Sequence, residues 1–203
     1  MEKIISSEEA EKIIEPYYDK IVTAMSLAFD DYMKFKQGNS SLPYFDLNKR
    51  TIASLIHDFT RARIKETFHE VDDVNVGDFN KIFGLVIKNQ VFIRFKKLKP
   101  DYSTSNIPTK QTRDYEDQLI EFPDFPSKMV FLYSVYMLND TWTSIKNLYI
   151  IHKQGKEIDW IKDISGTVEQ STLSFIDVPI IRESELITRV KPKELNQNVV
   201  NLD

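Results

Sequence analysis

The sharpest chemical signal in the chain is a run of basic residues set among apolar ones, Ile93-Arg94-Phe95-Lys96-Lys97-Leu98-Lys99. In a strand, alternation puts Arg94 and Lys96 on one face and Ile93, Phe95 and Lys97 on the other. Such a ladder of cations suits a phosphate backbone or an acidic protein surface. Arg61, Arg63 and Lys65 can extend it from a preceding helix. Arg94 stands between Phe92 and Phe95, and an arginine in that setting calls for a carboxylate or phosphate partner. Downstream, Thr109, Gln111 and Gln118 supply neutral donors and acceptors that can position a phosphate or a base edge. The candidate binding set is therefore Arg61, Arg63, Arg94, Lys96, Lys97, Thr109, Gln111 and Gln118. The competing reading is an edge strand guarded against aggregation by its lysines.

Catalytic chemistry has less support. There is no cysteine, which removes disulfides, thiolate nucleophiles and Cys-ligated zinc. His57 and His69 are twelve residues apart, so they do not form an i,i+4 ligand pair. His152 reads as a surface or core histidine near a strand end. No zinc-protease, nucleophile-elbow, P-loop or dinucleotide fingerprint occurs. No catalytic residue, metal or cofactor is expected. An enzyme of the nuclease or toxin type would have to draw on Arg61, Arg63, Lys96 and Gln111 with acids that the sequence does not place.

The charge pattern sharpens the choice. The 203 residues carry a formal net charge of −4. Residues 47–113 are net +6, against −4 for residues 1–46 and −6 for residues 114–203. Either one basic surface stands on an acidic molecule, or the oppositely charged segments pack together. No apolar run approaches the roughly 18–20 residues that span a bilayer, and the N-terminus has no signal-peptide pattern. A cytoplasmic protein without membrane contact is expected.

The elements that must hold these residues divide into three segments. Residues 1–46 form an N-terminal helical segment, opened by a capping box at Ser6 and Glu9. Pro16 starts or kinks its second part. Residues 47–164 form an α+β core. A helix over about Asn48–Glu70 leads into a loop or short strand at 71–78. A hairpin follows, with strands at 83–87 and 91–95. A polar stretch with a short helix near Thr109–Leu119 and a proline-bearing connector at 121–126 precede strands at 129–138, 144–152 and 157–164. In the last of these, period-two alternation puts Ile158, Trp160 and Ile164 on one face. Close strand spacing predicts an antiparallel sheet of about five strands with the N-terminal helices packed on one face. Residues 165–203 form a C-terminal extension, with an edge strand at 175–181 and a partly disordered end. The aromatics Phe131, Tyr133, Tyr136, Trp142, Tyr149 and Trp160 gather on the sheet. They serve a core or an interface, or they stack single-stranded bases.

Arg61-x-Arg63, Gly84, Ile93-Arg94-Phe95-Lys96-Lys97-Leu98, Pro108-Thr109-x-Gln111, Gln118, Pro123-x-Phe125-Pro126, Tyr136-x-Leu138-Asn139 and Trp160 together resemble a pattern in a group of small bacterial proteins. That group is uncharacterised and is encoded beside helix-turn-helix or ImmA/IrrE-type metallopeptidase genes in phage-defence and toxin–antitoxin-like loci. The resemblance covers residues 50–164 and implies a two-gene module with a protein partner, not a reaction. The leading expectation is a non-catalytic protein-binding component of such a system. Direct nucleic-acid binding by the basic strand is the alternative, and a toxin or nuclease the third reading. The aromatic sheet edge and the long N-terminal helix would both suit a homodimer.

Overall fold

The capping box forms as the sequence predicts. Ser6 Oγ accepts from the Glu9 amide at 3.1 Å, and the Glu9 carboxylate accepts from the Ser6 amide at 2.7 Å. This opens α1, Ser7–Ile14. The computed structural model describes residues 5–40, 47–104, 109–122, 125 and 129–166, all within one unit, Met1–Gln170. Pro16 lies in a 3-10 turn over Glu15–Tyr17, where its missing N–H costs nothing, and α2 follows over Tyr18–Gly38. Asn48 caps α3, Lys49–Thr67, by accepting from the Thr51 amide at 3.0 Å.

Six strands form one sheet in sequence order: β1 Val74–Phe79, β2 Ile82–Ile87, β3 Val91–Leu98, β4 Val130–Leu138, β5 Ile145–Gln154 and β6 Glu157–Asp163. The class is α+β, with the N-terminal helices preceding the sheet. Two expectations need correction. The sheet has six strands rather than five, because the polar stretch after α3 is paired as β1. It is also mixed rather than antiparallel: β3 and β4 run parallel, from Val91↔Val130 to Leu98↔Met137. The chain between them, residues 99–129, is long enough for the crossover that a parallel pair requires. It carries α4, Lys110–Glu116.

Local chemistry fixes the register. Asn80-Lys81 and Lys88-Asn89 all have positive φ, the pattern of a type I′ turn, whose twist matches that of its flanking strands. Gly84 lies so close to β3 that an added Cβ would stand 2.4 Å from the Ile93 carbonyl oxygen and 2.5 Å from the Phe92 ring. Pairing of β2 with β3 ends at Gly84↔Arg94, which leaves the second half of β3 joined to β4 alone among the named strands.

Both faces of the sheet are covered. Ile93, Phe95, Leu132 and Tyr136 pack with α1, α2 and α3. Phe92, Phe131, Tyr133 and Val135 pack on the other side with Tyr115 of α4 and with Ile120 and Phe122. Along β6, a register shift between His152↔Trp160 and Lys153↔Ile158 leaves Asp159 extra. Trp160 and Ile164 therefore join the helical side while Ile158 joins the other, which breaks the uniform alternation expected there. The strand predicted at 175–181 and the end of the C-terminal extension lie outside the described residues, as do residues 123, 124 and 126 of the connector.

Candidate functional site

α3 presents two different stripes. Ile52, Leu55, Ile56, Phe59 and Ile64 belong to the core. Lys49, Arg50, Ala53, Ser54, His57 and Asp58, spaced by four along the other side, form one wall of a groove of about 830 Å³. Ala53 and Ser54 are small, and that creates the concavity between Arg50 and His57. The facing wall is Lys96, Lys97 and Lys99 from the half of β3 beyond its pairing with β2 and from its exit, with Tyr136 of β4 and Trp142.

Five cations, Lys49, Arg50, Lys96, Lys97 and Lys99, thus meet at one concave surface, with Asp58 the single carboxylate of the lining. Among the described residues none of the five forms an ion pair. Burial and neighbouring cations disfavour the charged form of two of them. Burial, then Arg94, brings the Lys96 ammonium down to about 8. Burial, then Lys49 and Lys99, lowers Lys97. His57 is pushed down to about 4 by burial, Lys96 and Arg61, so it is neutral at pH 7. Lys49 and Arg50 also occupy the first turn of α3, the end where the helix dipole disfavours cations. Each of these costs is reduced when an anion enters.

Trp142 closes one end. The Lys97 Nζ lies 3.5 Å from its ring centroid and the Lys49 Nζ 5.6 Å. Its φ of +58° is unusual for a bulky residue. Asn139 holds the loop in place. Its side-chain oxygen accepts from the Thr143 and Ser144 amides at 2.8 and 3.2 Å, and its carbonyl accepts from the Trp142 amide at 3.0 Å.

Of the eight candidate residues, only Lys96 and Lys97 line this groove. Arg94 has its guanidinium over the Tyr115 ring, 5.6 Å from the centroid. Arg61 makes a bidentate pair with Asp78 at 2.9 and 2.8 Å and covers the Phe83 ring. Arg63 bonds Asp31 and, at 2.7 Å, Glu66, tying α2 to α3. Thr109 caps α4, and Gln111 donates to the Asn80 carbonyl at 2.7 Å. Gln118 bridges β4 and β5, donating to the Phe131 and Lys153 carbonyls and accepting from the Phe131 amide. In the set considered for an enzyme, Arg61, Arg63 and Gln111 are engaged in the contacts just described. Of its four residues, the groove holds Lys96.

Besides the small Ala53 and Ser54, the groove residues absent from the sequence-based set are Lys49, Arg50, His57, Asp58, Lys99, Tyr136 and Trp142. One signal did exist: two consecutive cations directly after a helix cap, where acids are the norm. Among the described residues no group of three or more His, Asp or Glu side chains is placed to hold a metal, and no helix is long and apolar enough to cross a membrane. Compared with known proteins, the chain matches no family model, and neither the curated proteins nor the solved structures include a match.

Proposed function

We propose that this chain is a non-catalytic nucleic-acid-binding protein that takes the phosphates of a strand into the groove between α3 and β3. The observation that carries the proposal is the convergence of Lys49, Arg50, Lys96, Lys97 and Lys99 on one concave surface of a chain that is net negative overall. Arg61 and Arg63, by contrast, are neutralised internally by Asp78 and Asp31. Like charges gathered at one place lower stability unless a counter-charge binds there, and phosphates supply it.

The experiment is fluorescence anisotropy of labelled DNA and RNA across a salt series. Phosphate contacts release counterions, so four or five of them on a single strand give a log–log salt slope of about −3. Affinity then falls roughly sixtyfold between 50 and 200 mM salt. The double variant Lys49→Glu/Lys97→Glu removes binding, while Lys110→Glu, on the exposed side of α4, leaves it in place. Binding of polyglutamate with no binding of nucleic acid overturns the proposal. It would assign the groove to an acidic protein surface, the kind of partner that the resemblance to defence-locus proteins implies.

A further inference from the structure

We infer that the groove selects single-stranded over duplex nucleic acid, by stacking a base on Trp142 while the neighbouring cations hold its flanking phosphates. The inference rests on the nucleic-acid reading above and specifies its substrate class.

Three features of the groove point the same way. The first is its shape. About 830 Å³ in a half-open groove between a helix and a strand is within the range of small-ligand pockets. A nucleotide or two fits such a space, whereas a duplex presents a convex rod. Lys96 is half-buried, so a flexible strand can bring a phosphate to it more readily than the outer surface of a double helix can.

The second is the placement of Trp142. A bulky side chain at φ +58° persists only where its surroundings over-determine it. Here the Asn139 side chain does so with bonds to the amides of Thr143 and Ser144. The backbone that carries the indole is thereby fixed beside the cations, and the residue is only partly buried against the core. A pre-set aromatic platform loses little conformational freedom when a base stacks on it.

The third is the occupant of the ring in the free protein. The Lys97 ammonium stands 3.5 Å from the ring centroid, a contact set by the charge of the lysine and the π-face of the indole. A phosphate draws an ammonium more strongly than an indole does. Arrival of a nucleotide therefore releases the ring face to the base and gives the lysine to the phosphate. A polyanion without bases would use the cations and leave the indole unstacked.

Tryptophan emission reports this directly. The chain has two tryptophans, Trp142 and Trp160. Trp160→Phe leaves Trp142 as the single indole and removes a buried N–H that has no partner. In that background an eight-residue oligo(dT) should quench the emission over the same concentrations that saturate anisotropy. A duplex of equal length and an inorganic polyphosphate should bind more weakly and leave the emission unchanged. Trp142→Ala should weaken oligo(dT) binding about tenfold or more and change polyphosphate binding by less than about twofold. Trp142→Phe, which keeps a stacking face, should recover most of the loss, and melting curves confirm that each variant is folded. Equal binding of oligo(dT), duplex and polyphosphate with no change in emission would overturn the inference and leave the nucleic-acid reading standing. No binding of either nucleic acid at low salt would overturn that reading too.

Discussion

At the scale of single residues, Lys96 and His57 make the groove sensitive to pH in opposite ranges. Lys96 is held near 8 in the free protein, against an ordinary value of 10.5. An anion favours its protonated form, so affinity should fall as pH rises from about 7.5 to 9. Lys96→Arg stays charged throughout and should flatten that profile. A wild-type profile as flat as the variant's, read by anisotropy at fixed salt, would remove Lys96 from the contact. His57 governs stability instead. The unfolded chain titrates near 6.5 and the folded chain near 4, so the unfolded state holds the extra proton between those values. Its contribution is fully present above about pH 6.5 and is lost as pH falls through 4. With allowance for partial exposure, the loss is on the order of 2 kcal/mol. Urea midpoints at pH 7 and 4.5 should draw apart less in His57→Gln than in the wild type.

At the scale of elements, Gly84 and the crossover decide how the sheet is built. Gly84→Ala puts a methyl group 2.4 Å from the Ile93 carbonyl oxygen, with backbone on that side that cannot swing away. The expected cost is about 2 kcal/mol or more, read as a lower urea midpoint with an unchanged slope. A shift under about 0.5 kcal/mol would mean that β2 and β3 separate easily there. Most element identities were legible because each rests on local chemistry: the cap at Ser6 and Glu9, the cap at Asn48, and the apolar alternation in the hairpin. What was not legible depends on partners far along the chain. Arg61 and Arg63 look free in sequence, but Asp78 and Asp31, 17 and 32 residues away, claim them. Thr109, Gln111 and Gln118 likewise turn out to fasten α4 and its neighbours. The strand direction of β4 depends on how the polar stretch before it crosses the sheet, and strand spacing alone does not encode that. The groove was missed for a similar reason. Its walls come from residues 49–58, 96–99, 136 and 142, which only folding brings together.

At the scale of the whole molecule, charge is partly offset inside the fold and partly gathered at one place. Arg63 of the basic segment meets Asp31 of the acidic N-terminal segment, and Lys162 of β6 meets Glu11 of α1. Five cations of the basic segment line the groove. The groove in turn straddles the parallel junction, since Lys97 of β3 lies directly opposite Tyr136 of β4. On either side of that junction the pairing is between consecutive strands, β1 to β3 on one side and β4 to β6 on the other. The sheet is thus two meanders zipped along eight residue pairs, and neither meander contains the binding surface alone. A chain broken between Thr104 and Thr109 should therefore behave as a two-piece lock: each fragment alone exposes an unpaired strand edge and is prone to aggregate, and the two co-expressed should co-purify and regain affinity together. A cooperative melt from either fragment by itself would show that the seam is dispensable. If it is not, the groove exists only once that seam has closed, and a chain without the seam lacks it.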